Sequence, residues 1–195
     1  MMTKEQRRIV KKYLHGSPDE HSNVEKHFYS ITKRTLQDSI EKGLEPGCHF
    51  YFNKPLYEIG VPTQRIRPSE CKDEFLKFIM NRCCLDKEEA IDLYNLLNDK
   101  AVRTNSLKAD FVKIKDGKPT VIVELNTSLH YVLLNEEGHA SFARRLFNDF
   151  VKIREIQKLA EYVEIDLRIQ DEYGVGSQEN TYINCKLNNI ISDLA

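Results

Sequence analysis

Lys108 to His130 reads K-A-D-F-V-K-I-K-D-G-K-P-T-V-I-V-E-L-N-T-S-L-H. Asp116-Gly117 between two runs rich in Val and Ile is a strong hairpin signal, so the stretch is expected to form two strands joined by a tight turn. Side chains alternate faces along a strand, which puts Ile122, Glu124 and Asn126 on one side and Val121, Val123 and Leu125 on the other. A carboxylate at the end of so apolar a strand has no packing reason to be there. A three-residue loop, Asp116-Gly117-Lys118, would set Lys115 against Pro119 and Asp110 directly opposite Glu124. A two-residue loop would set Asp110 opposite Val123 instead. Gly and a bulge commonly accompany three-residue loops, so the longer loop is the expectation. Two converged carboxylates repel unless a cation lies between them, and a hard divalent ion is the usual answer.

The chain has 195 residues, 41% hydrophobic and 30% charged, which suits one globular domain spanning 1–195 with a sizeable core. Its apolar runs are too short to span a membrane, and no signal peptide is expected at its front. Five cysteines (Cys48, Cys71, Cys83, Cys84, Cys185) form no C-x-x-C pair, which predicts reduced thiols and a cytoplasmic location. The remaining histidines outside the hairpin (His15, His21, His27, His49, His139) lack ligand spacing and read as structural or surface residues. Net charge is −1 but uneven: residues 141–160 hold five basic against two acidic side chains, and 161–195 hold two basic against seven acidic. That balance permits nucleic-acid contact without demanding it.

Elsewhere the periodicity predicts helices over 4–14, from Ser22 or Asn23 to about Lys42, from Ser69 to Met80, over Lys87–Asn98, from His139 to Tyr162 and over 181–194. Strands are expected within Cys48–Val61 and at Val163–Ile169. The order gives an α/β fold, a mixed central sheet with helices on both faces. The helices within about 62–100 are too short to bury a core of their own and read as an insertion packed on the side of the sheet.

Taken in order, V-E-K-H-F-Y (Val24 to Tyr29), D-F-V (Asp110 to Val112), E-L-N-T-S-L-H (Glu124 to His130) and L-R-I (Leu167 to Ile169) resemble the PD-(D/E)XK nuclease superfamily. The likeness is closest to the branch related to the very short patch repair endonucleases, including a bacterial domain whose second strand ends E-(L/V)-D-x-x-x-H. It covers most of the chain from Glu25 onward, apart from about 62–100. The resemblance implies a restriction-endonuclease-like core. It also implies that Asp110 and Glu124, with the Leu125 carbonyl, ligate Mg2+ or Mn2+. Glu25 would act through water, and His130 as general base or as a stabiliser of charge on the phosphate. Superfamily members usually carry Lys two residues after the Glu and the closer branch carries Asp, where this chain has Asn126. Asn cannot act as a base but can hydrogen-bond a metal-bound water. A lysine displaced onto the following helix, such as Lys152, would compensate.

Arg144, Arg145 and Lys152 are candidates for phosphate contact, with a solvated helix face as the alternative. Two functions follow. One is a metal-dependent endonuclease hydrolysing DNA phosphodiesters in repair, restriction or defence. The other is a catalytically inactive nuclease-fold protein that binds nucleic acid or a protein partner.

Overall fold

The computed structural model describes residues 3–19, 23–44, 46–126, 130–133 and 138–166. The Leu167–Ile169 run and the helix expected over 181–194 lie outside the described residues. Helices are α1 (Lys4–Tyr13), α2 (Asn23–Glu41), α3 (Lys72–Cys83), α4 (Lys87–Asn95) and α5 (His139–Ile156). Strands are β1 (Leu14–His15), β2 (His49–Pro55), β3 (Arg65–Ile66), β4 (Val102–Arg103), β5 (Lys108–Lys115), β6 (Lys118–Asn126) and β7 (Glu161–Asp166). The main sheet runs β1-β2-β5-β6-β7, with β3 and β4 paired separately. It is mixed: β1 is parallel to β2 and β6 to β7, while β2, β5 and β6 are antiparallel neighbours.

The alternation of side chains divides the sheet into two chemistries. One face presents Phe50, Phe52, Phe111, Val123, Leu125 and Ile165 to Val10 and Tyr13 of α1 and to Phe28 and Leu36 of α2. Each such buried aromatic or leucine contributes roughly 1.5–3 kcal/mol of hydrophobic stabilisation. The opposite face carries Val112 and Ile122 against Ile156 of α5. It also carries the acidic end of the hairpin.

Helix α5 is apolar on more than one side. Phe142, Leu146, Phe147 and Phe150 pack against Phe75 and Ile79 of α3 and Ala90 and Leu93 of α4. The segment expected as an insertion on the side of the sheet therefore packs on α5, and its β3 pairs with β4 just beyond the expected boundary.

The turn corrects the expected loop. It has two residues, Asp116 and Gly117, both at positive φ (51° and 76°), and Lys115 pairs with Lys118. That pair of conformations matches the twist of a hairpin, as the Asp-Gly dipeptide allows. The register then shifts: Ile114 pairs with Pro119 but Lys113 with Val121, leaving Thr120 as an extra residue. Proline has no N–H to give the ladder and is tolerated at such bulges. The bulge supplies the offset that a longer loop would have given, and Phe111 faces Val123. Asp110 and Glu124 follow one step on.

Helix α5 ends at Ile156, short of the expected Tyr162, because Glu161 and Tyr162 join β7 by pairing with Val121 and Ile122. Strand pairing there overrides a locally helical pattern.

Candidate metal centre

Beyond Phe111 and Val123, side chains from each strand reach the other strand's backbone. The Leu125 N–H donates to Asp110 Oδ2 at 2.9 Å, and the Asp110 N–H lies 3.4 Å from Glu124 Oε1. Each carboxyl thus reaches toward the other's strand. Glu124 is 1% exposed, so its charge is removed from water altogether. Burial first and the Asp110 charge second push its carboxyl up to about 8.

The cation that answers this pair comes from α5. Lys152 Nζ forms an ion pair with Glu124 Oε2 deep in the protein. Its own burial opposes the charge, but Glu124, Asp110 and Asp149 surround it, and the net effect holds its ammonium above the usual lysine range. One lysine therefore serves three carboxylates.

Asp149 lies one turn before Lys152 on the same helix face and is buried. Its Oδ2 is 2.7 Å from His130 Nδ1. The Asp149 carboxylate can accept there from an Nδ1–H and so orient the ring.

Glu25 approaches from the first turn of α2. It accepts hydrogen bonds from the Asp19 N–H (2.7 Å) and from Asn53 Nδ2 (3.0 Å). Burial, with a smaller effect from Asp110, raises its carboxyl above the ordinary value against those hydrogen bonds. Asn53, in the left-handed region at φ 51°, also bonds the Ser17 carbonyl and so ties the chain before α2 to β2.

Asn126 shares the face of Glu124 but is spent on a protein partner. It is buried and hydrogen-bonds Glu164 of β7. Glu164 pairs in register with Glu124, extending the polar row to a third strand. Burial would raise its carboxyl, but the Tyr131 hydroxyl and the Arg82 guanidinium outweigh it and hold it below the usual glutamate range. The Tyr162 hydroxyl donates to it as well, at 3.1 Å. Arg82, from α3, also donates to the His130 carbonyl at 3.0 Å and lies 4.5 Å over the Tyr131 ring. This cluster anchors the backbone that carries His130.

No family model, curated protein or solved structure matches this chain. The site is read from its own chemistry.

Asp110, Glu124, Lys152 and Glu25 converge electrostatically, and His130 joins through Asp149. The donors are hard oxygens, which suit Mg2+ or Mn2+ rather than a softer ion. Among the described residues no three His, Cys, Asp or Glu side chains gather as a ready cage. An ion here would rest on two carboxylates, Asp110 and Glu124, and otherwise on water or substrate. Arg144 spends two of its guanidinium N–H groups on the Lys100 carbonyl and, at 2.7 Å, on the Ala101 carbonyl. Arg145 lies 5.4 Å from the Phe142 ring, one turn before Asp149. Lys152 is buried against Glu124 and offers no exposed phosphate contact.

Sequence reasoning missed Asp149, Arg82, Tyr131, Tyr162 and Glu164. Only Asp149 left a signal: it lies three residues after Leu146 and seven before Ile156, an acid within the apolar stripe of α5.

Proposed function

We propose that this protein is a divalent-metal-dependent phosphodiesterase acting on nucleic acid, with DNA as the favoured substrate. The observation that carries the reading is the fully buried Glu124, set beside Asp110 and met by Lys152. Burying like charges is costly, and a lone ammonium leaves the acids in excess. A divalent ion would balance them. When bound, it would polarise a phosphoryl oxygen and lower the pKa of a bound water.

The remaining chemistry belongs to this chain's residues. Asp110 and Glu124 supply the anionic ligands. Lys152 holds a fixed positive charge beside Glu124, the role that a strand-borne lysine two residues on would have filled and that Asn126 cannot. His130 Nε2 accepts the proton of the attacking water, while Asp149 orients the ring through Nδ1 and stabilises the imidazolium that forms. Glu25, from α2, is near enough to feel the Asp110 charge and can position water.

A second reading has its own support. Asn126 is engaged with Glu164, and Lys152 already neutralises Glu124, as in a nuclease fold kept for binding alone.

Incubating plasmid, linear duplex and single strands with Mg2+ or Mn2+ separates the two. Metal-dependent cleavage should appear and fall on the order of a thousandfold in Glu124→Gln or Asp110→Asn, the loss of several kcal/mol of charge stabilisation. His130→Ala should cost roughly a hundredfold or more. Strand binding without cleavage under any divalent ion would favour the second reading.

A further inference from the structure

We propose that His15, His49 and the main-chain carbonyl of Lys12 form a second, separate metal site for a borderline divalent transition ion such as Zn2+. The site lies at the open edge of the sheet, where the two-residue strand β1 pairs with β2. His15 pairs with Tyr51, and His49 lies two residues before Tyr51, so both rings project from the same face. His15 Nε2 is 3.1 Å from His49 Nδ1. The Lys12 carbonyl oxygen is 3.1 Å from the same Nδ1, and it acts on the His15 ring as a hydrogen-bond acceptor too. The His15 nitrogen and the Lys12 oxygen thus both lie 3.1 Å from His49 Nδ1.

Ligands about 2.0–2.1 Å from one tetrahedral Zn2+ stand roughly 3.3 Å apart, so the two nitrogens need part by only a few tenths of an ångström. Both rings are already held in place. His15 stacks on Tyr51 with centroids 4.5 Å apart, and His49 lies 5.2 Å from the Tyr13 ring. Fixed rings lose little freedom on binding an ion.

The charges nearby do not close the site. Lys12 and Lys54 lie over the Tyr13 and Tyr51 rings, and Lys54 is paired with Glu58. A set of two imidazoles and one carbonyl prefers a borderline ion over Mg2+. An ion here would tie the end of α1 and the short β1 to β2. The inference is independent of the nuclease reading.

The test is calorimetric titration of Zn2+ into chelator-stripped protein, beside His15→Ala, His49→Ala and the double variant, with Cys83→Ser/Cys84→Ser to remove the more exposed thiols. In Glu124→Gln, which removes uptake at the acidic pair, one saturable event is expected. It should weaken at least about tenfold in either histidine variant and persist in the cysteine variant. Ring-nitrogen NMR of the unaltered protein gives a second readout, in which Zn2+ should shift the His15 and His49 resonances selectively. No saturable uptake, uptake unchanged in the double variant, or ring signals that do not move would overturn the proposal.

Discussion

At the scale of single residues, Glu124 sets the behaviour of the site. Its carboxyl shifts from 4.5 to about 8 on folding, so between those values the folded chain binds more protons than the unfolded one. Stability therefore falls as pH rises through that window, the reverse of an ordinary paired carboxylate. Glu124→Gln should flatten this slope, as urea melts between about pH 5 and pH 8 will report. Lys152→Met removes the cation from three acids and should cost about 3–5 kcal/mol, more at alkaline than at acid pH. Mn2+ should restore part of that loss in thermal melts, whereas a lysine that merely packs would leave the variant indifferent to metal. Asp110 and Glu124 were legible in the sequence because an acid at the end of a Val/Ile strand stands out. Glu164 and Arg82 were not, since a parallel register and a partner 82 residues away leave no local trace.

At the scale of elements, the hairpin reaches its working register by a route the sequence hides. Asp-Gly announces the turn, but the offset that brings Asp110 to Glu124 comes from the bulge at Thr120. A proline inside a strand was the available hint. The junction of β1 with β2 is equally specific. Gly16 has φ +78°, and a Cβ there would stand 2.4 Å from the Phe52 carbonyl oxygen. Gly16→Ala should therefore destabilise by at least about 1–2 kcal/mol. Because Ser17 is bonded to Asn53, and Asn53 to Glu25, the same change should disturb the placing of Glu25. Urea denaturation and metal titration of this variant measure the two effects separately. The boundary between α5 and β7 was misread for a related reason, as pairing with β6 claims residues whose local pattern continues a helix.

At the scale of the whole molecule, α5 is the hinge of the design. One side supplies Lys152 and Asp149 to the sheet, and the other closes a core with α3 and α4. Phe75, fully buried, lies with its ring centroid 5.1 Å from that of Phe147 and 5.5 Å from that of Phe150. Phe75→Ala should cost about 3–5 kcal/mol, the penalty of a core cavity, as chemical melts will show. A loosely attached appendage would lose far less. The layered α/β architecture was readable from periodicity, but the partner of the helices within 62–100 was not, because an apolar stripe does not say which face it meets. The central claim is that Asp110 and Glu124 hold one hard divalent ion. Calorimetric titration of Mn2+, run near pH 6.5 and near pH 8.5 in buffers of different ionisation enthalpy, tests it most directly. Tighter binding at the higher pH is expected, with a proton released at the lower one and uptake abolished in Glu124→Gln. Absent or pH-independent uptake, or uptake that survives in Glu124→Gln, would contradict the claim.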